Sequence, residues 1–123
     1  AAGHSESIFR AMTDAIKVSK LYWRLIDDNC NPITFQEAFY MATKGGGAFF
    51  GQVGSFEQGY EFDAVVIDDS ELLWGVGMPV LQRLQRVVYA SWDMKGICGK
   101  YVAGQNSHHT IVFSPKKCYS EKR

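Results

Sequence analysis

Adjacent carboxylates, scattered histidines and a glycine run are the features of this 123-residue chain whose types could do chemistry. Asp68 and Asp69 stand side by side, and paired carboxylates can divide acid and base work. No histidine or second acidic cluster lies at a useful spacing from them, so a strand-ending turn explains them better. His108 and His109 are neighbours. On a strand they would point to opposite faces and would not easily chelate one ion together, which favours a surface loop. His4, in Ala2-Gly3-His4-Ser5, reads as a pocket-mouth residue, a helix-start residue or a cloning remnant. Asp63 precedes an apolar run and reads as a hydrogen-bonding structural aspartate. Gly45-Gly46-Gly47 lacks the Lys-Ser/Thr pair that a phosphate-binding loop needs, and reads instead as a helix stop with close backbone packing. The cysteines, Cys30, Cys98 and Cys118, match no zinc module and no CxxC pair. Reduced structural thiols in a cytoplasmic protein account for them, with Cys98 as a small core residue.

Composition narrows the function classes. Hydrophobic residues make up 46% and aromatics 14%, enough for a packed core rather than a disordered chain. The length suits one domain or the end of a larger one. Formal net charge is zero, without the basic stripe of a nucleic-acid binder. The basic cluster Lys116, Lys117, Lys122 and Arg123 reads as a solvated tail. No apolar run approaches the ~20 residues that cross a bilayer, and no secretory signal opens the chain.

The elements that must position these residues follow from periodicity. Ile8, Phe9, Met12, Ile16, Tyr22, Trp23 and Ile26 recur at helical steps, which predicts a helix from Ser7 to about Asp27 with one apolar face. Ser5 or Ser7 is placed to cap it. Asp27 to Pro32 is turn chemistry. Thr34-Phe35-Gln36-Glu37 is a capping box opening a second helix that the glycines should end. A helical turn over Ala48-Phe49-Phe50 follows, and Gly51, Gly54 and Gly59 punctuate a loop. Phe62 to Ile67 reads as a buried strand. Glu71 to Met78 is ambiguous. Pro79 reads as the first residue of a helix running to about Tyr89, with Val80, Leu81, Leu84, Val87 and Val88 inside. Ile97 to Val102 reads as a strand, Ala103 to Asn106 as a turn, and Thr110 to Phe113 as a last strand.

Three ordered blocks carry a resemblance. Gly51-x-Val53-Gly54-x-Phe56-x-x-Gly59-x-x-Phe62-Asp63-Ala64-Val65-Val66 is similar to the segment by which amidohydrolases return from their barrel to a β-sandwich domain. Phe62-Asp63-Ala64 looks like the guanine deaminase branch. So do Glu37 to Thr43, and Arg83 to Tyr89 followed by Tyr101-Val102-x-Gly104. The resemblance implies an α+β piece: the C-terminal fragment of a (β/α)8-barrel amidohydrolase, with barrel-end helices plus a few strands of the composite β-sandwich domain. Residues 1–50 would follow the last barrel strand, 51–113 would return to the sandwich, and 114–123 would be a tail. The active site of such a barrel lies at the C-terminal ends of its strands, which would put Gly3 and His4 beside it.

The resemblance also implies chemistry for the intact enzyme: zinc-dependent hydrolysis of guanine to xanthine and ammonia. A bound zinc ion lowers the pKa of its water toward 7 in such sites. The family's His-x-His pair, further histidines, catalytic glutamate and final aspartate would all fall before Ala1. The expectation is therefore no catalytic residue, no metal ligand and no cofactor within this chain, and no activity alone. Expected partners are guanine in the intact enzyme and a second copy of the chain, without nucleic acid or membrane. Faces around Phe9, Met12, Tyr22, Trp23 and Val65 are expected to be bare and to drive that self-association. Two other readings are a fragment of another amidohydrolase acting on amino- or chloro-substituted rings, and a non-catalytic oligomerisation module.

Overall fold

A computed structural model describes residues 5–70, 77–90 and 96–106. Gly3, His4, Cys118, the His108-His109 pair and the strand expected at 110–113 lie outside the described residues, as does most of the ambiguous stretch 71–78.

Helix α1 spans Ile8–Leu25. Its N-cap is Ser7, whose side chain accepts from the Arg10 amide. The chain leaves the helix through paired bonds from the Ile26 and Asp27 amides to the Tyr22 carbonyl. Ser19 ties α1 to the segment beyond the turn: its hydroxyl donates to the Ile16 carbonyl at 2.8 Å and accepts from the Ile33 amide at 3.1 Å. Helix α2 spans Phe35–Tyr40 and opens on the capping box as read from the sequence. Thr34 Oγ1 accepts from the Glu37 amide at 3.2 Å, and Glu37 Oε2 accepts from the Thr34 amide at 2.7 Å.

The glycine run departs from expectation. Helical winding does not stop at Lys44 but widens into a π-helical turn over Met41–Gly45 and continues into Gly46 and Gly47. The Gly46 amide bonds to Met41, five residues back. Glycines are needed here for space rather than for positive φ. A Cβ on Gly45 would lie 2.8 Å from the Tyr40 ring, and one on Gly47 would lie 2.7 Å from the Val53 carbonyl oxygen. The expected close backbone packing is present. Positive φ first appears further on, in the loop glycines Gly51, Gly54 and Gly59.

The sheet has the order β1-β2-β3, all antiparallel, from Ala64–Ile67, Ile97–Val102 and Gln105–Asn106. Ala64 faces Tyr101 and Val66 faces Gly99, and a bulge between Val66 and Ile67 then shifts the register. The expected four-residue turn is tighter. Ala103 and Gly104 alone make it, at φ 49° and 74°, and Gln105 and Asn106 pair back as β3. Two positive φ values in a two-residue loop suit the twist of a hairpin. Asp63 fixes this hairpin by accepting from the Ala103 amide at 2.8 Å, the structural role expected of it. Strand β1 is not buried as expected: Val65 is 53% exposed. It lies at an edge of the described sheet, paired only with β2.

Helix α3 spans Val80–Ala90, with the Pro79 carbonyl accepting from the Gln82 and Arg83 amides just before it. The core forms where α1 meets α2 and α3: Met12, Ile16, Phe35, Ala38 and Val88, with Phe9, Ile33, Ala42, Leu84 and Tyr89 packed against it. Phe9 and Met12, expected to be bare, are thus covered within the chain, whereas Tyr22, Trp23 and Val65 are exposed. Only the N-terminal half of the predicted α1 face is used, because the partners α2 and α3 reach no further along it. Val80 and Leu81, predicted on the inner stripe of α3, are also exposed.

Candidate functional site

The described carboxyls whose pKa is shifted are all engaged in holding structure. At the end of β1, Asp68 accepts from the Ser70 amide at 2.9 Å. That bond, with the Ser70 hydroxyl, holds the Asp68 carboxyl below the ordinary range. Asp69 turns the other way and meets α3. Its two oxygens receive Arg83 Nε and Nη2, each at 2.8 Å. Such a forked pair is charge-assisted and geometrically specific. It lowers the Asp69 pKa and raises that of Arg83. A general acid needs the reverse, a carboxyl that keeps its proton near neutral pH. The two aspartates therefore make a turn and a clasp rather than an acid–base pair.

A second cluster closes the glycine-punctuated loop. Lys44 Nζ donates to Glu57, which also accepts from the Ser55 hydroxyl at 3.0 Å. Lys44 lies over the Tyr60 ring, 5.4 Å from its centroid. The Lys44 bond, then the Ser55 bond, lowers the Glu57 pKa. Backbone geometry does the same work: the Glu61 amide bonds to the Gln52 carbonyl at 2.8 Å, so residues 52–61 form a closed loop. Glu37, the remaining shifted carboxyl, is lowered by the Thr34 amide and then the Thr34 hydroxyl. Sequence reasoning found the Thr34–Glu37 box because its signal is local. It missed Lys44–Glu57 and Asp69–Arg83, whose partners lie 13 and 14 residues apart with no spacing rule to announce them.

No group of three or more His, Cys, Asp or Glu able to hold a metal exists among the described residues. The donor set described does not fit a zinc site. A surface depression lined by Ser55, Phe56, Glu57, Tyr60, Glu61 and Phe62 has one of its two carboxylates, Glu57, already tied to Lys44. Cys98 is half-buried on β2, with its thiol toward the Gly96 carbonyl, and Cys30 is exposed. Neither belongs to such a group. No helix of the described residues is long and apolar enough to cross a membrane.

Comparison with known proteins supplies what the charged residues do not. Residues 1–104 match the family described as "Amidohydrolase family". The chain belongs to the amidohydrolase family. Among individual members, it is 39% identical over 69 residues to a guanine deaminase of Dictyostelium discoideum, covering 54% of this chain and 15% of that one. It is 39% identical over 72 residues to the Homo sapiens guanine deaminase, covering 55% and 15%. A crystal structure of guanine deaminase from C. acetobutylicum, with guanine bound in its active site, superposes with a TM-score of 0.79 at 45% identity. That match covers 85% of this chain and 25% of the solved one. The chain thus spans a quarter or less of the length of the amidohydrolases it matches.

Proposed function

We propose that this chain is the C-terminal part of a zinc-dependent guanine deaminase, and that the protein it belongs to hydrolyses guanine to xanthine and ammonia. The observation that carries the reading is the match to a guanine deaminase solved with guanine in its active site, at 45% identity over 85% of this chain. Helices α1 and α2 would follow the last barrel strand within residues 1–50, and 51–113 would rejoin the sandwich. Gly3 and His4 would stand beside the site, and the family's zinc ligands would come from the preceding polypeptide. The scaffold role of this segment agrees with its charged residues, which clasp loops and cap a helix.

The 123-residue chain alone is therefore inactive on guanine. The test replaces the matched quarter of the C. acetobutylicum enzyme with this chain and measures ammonia release from guanine with zinc present. The chimera is expected to turn over and the isolated chain is not. Turnover by the isolated chain at an enzyme-like rate, or a folded chimera without activity, overturns the proposal. In isolation the edge of β1 that is unpaired among the described residues is expected to pair with a second copy. A stable monomer in light scattering would count against that pairing.

A further inference from the structure

The π-helical turn is out of keeping with its own sequence. Met41, Ala42 and Lys44 are good helix formers and by themselves would wind as ordinary α-helix. Instead the Gly46 amide passes over Ala42, its α-helical acceptor, and bonds to the carbonyls of Met41 and Thr43, five and three residues back. Two local features loosen the α register without fixing another. The Thr43 hydroxyl donates to the Phe39 carbonyl at 2.8 Å, a type of bond that bends helices. Gly45, Gly46 and Gly47 lose the most conformational freedom on winding and so hold either register weakly. What fixes the register lies outside the helix. The loop 52–61, closed by the Glu61 amide on the Gln52 carbonyl, is seated on the turn. A Cβ on Gly54 would lie 2.6 Å from the Thr43 carbonyl and 3.0 Å from the Lys44 nitrogen, and one on Gly47 would lie 2.7 Å from the Val53 carbonyl oxygen. Lys44 then ties the turn to Glu57 in the loop.

We propose that the loop and the turn form a conformational device, with the loop as a latch. The turn is wide only while the loop is seated, and with the loop lifted Met41–Gly47 rewinds as α-helix. One residue of register is about 100° of rotation. The residues carried round are Phe49 and Phe50, an exposed aromatic pair with ring centroids 5.1 Å apart. The latch therefore sets the direction in which that pair points. Residues 41–61 carry the device alone, so it stands or falls separately from the deaminase reading.

NMR on the 123-residue chain tests it, because couplings across hydrogen bonds identify the acceptor of each amide. In wild type the Gly46 amide is expected to couple to the Met41 carbonyl carbon. Coupling to Ala42 instead overturns the proposal. Gly54→Ala drives the loop off the turn and is expected to move the coupling from Met41 to Ala42. Gly104→Ala, at a similar φ but with open space around the added Cβ, is expected to leave it at Met41. A folded Gly54→Ala variant that keeps the Met41 coupling overturns the proposal. Lys44→Met is a milder perturbation that removes the charge meeting Glu57 and the Tyr60 ring. There, relaxation dispersion is expected at Gly46 and Glu61 with one common rate. The minor population is expected to be about twofold to fivefold that of wild type, the scale of one exposed ion pair. Ala38, held to Thr34 within α2, is expected to show none. Dispersion at Glu61 without Gly46 overturns the proposal, since the loop would then open over an unchanged turn. Dispersion at neither residue, or dispersion that reaches Ala38, overturns it as well. Should Gly54→Ala fail to fold, the Lys44→Met dispersion decides alone.

Discussion

Gly54→Ala probes how the loop closes on the π-helical turn, and its cost can be worked from geometry. Gly54 sits at φ 78°, and a Cβ there would lie 2.6 Å from the carbonyl carbon and oxygen of Thr43. Those are backbone atoms of the π-helical turn and cannot swing aside as a side-chain tip would. Gly104 is a matched control: its φ is 74°, but nothing lies within 4 Å of an added Cβ. Both substitutions incur the left-handed penalty of roughly 1–2 kcal/mol. Only Gly54→Ala adds overpacking, about 1–3 kcal/mol. The expected losses are about 1–2 kcal/mol for Gly104→Ala and about 2–5 kcal/mol for Gly54→Ala. Set against the 5–15 kcal/mol typical of whole domains, the larger loss is severe. Urea titration followed by circular dichroism measures both. Midpoints that agree for the two variants, with unchanged slopes, would refute the claim that the loop and the turn meet backbone to backbone.

Other consequences stem from the same packing. Thr34→Ala removes the cap of α2 and should cost about 0.5–2 kcal/mol in the same titration. Val88 is fully buried at 0% exposure and Val80 is 76% exposed, so Val88→Ala should cost about 1.5–3 kcal/mol while Val80→Ala stays within about 0.5. The carboxyls of Glu37, Glu57, Asp68 and Asp69 are all lowered in the folded chain. Their contribution is present above the ordinary carboxylate pKa, roughly 4, and is lost as pH falls through the folded values. Stability should therefore decline on acidification below that range, and Asp69→Asn should shallow the decline. A stability profile flat between pH 5 and pH 2 would contradict it.

What the sequence disclosed was local. The Thr34–Glu37 box and the span Ile97–Val102 follow from neighbouring residues and are found as read; of the two cap candidates Ser5 and Ser7 it is Ser7 that caps α1, and the stop expected near Asp27 comes two residues earlier, after Leu25. The π-helical turn was not legible. It depends on Gly47 meeting Val53 and Gly54 meeting Thr43, approaches that no periodicity encodes. The apolar run Ala64–Ile67 is a strand, as its composition says, but it is not buried, since apolar composition signals a covering layer without saying where it comes from. The same ambiguity hides how α1 is covered: periodicity predicts its apolar face without saying that only the part around Met12 and Ile16 meets a partner among the described residues. For the site, residue chemistry correctly assigns Asp63 and the Asp68-Asp69 pair to structure. Gly3 and His4, the residues that the resemblance puts nearest to the chemistry, lie outside the described part.

Sequencing the DNA immediately 5′ of the Ala1 codon tests the central claim most directly. An open frame is predicted to continue upstream, with an aspartate codon adjoining Ala1 and a His-x-His pair much earlier. A stop codon closely followed by an initiator methionine would contradict it.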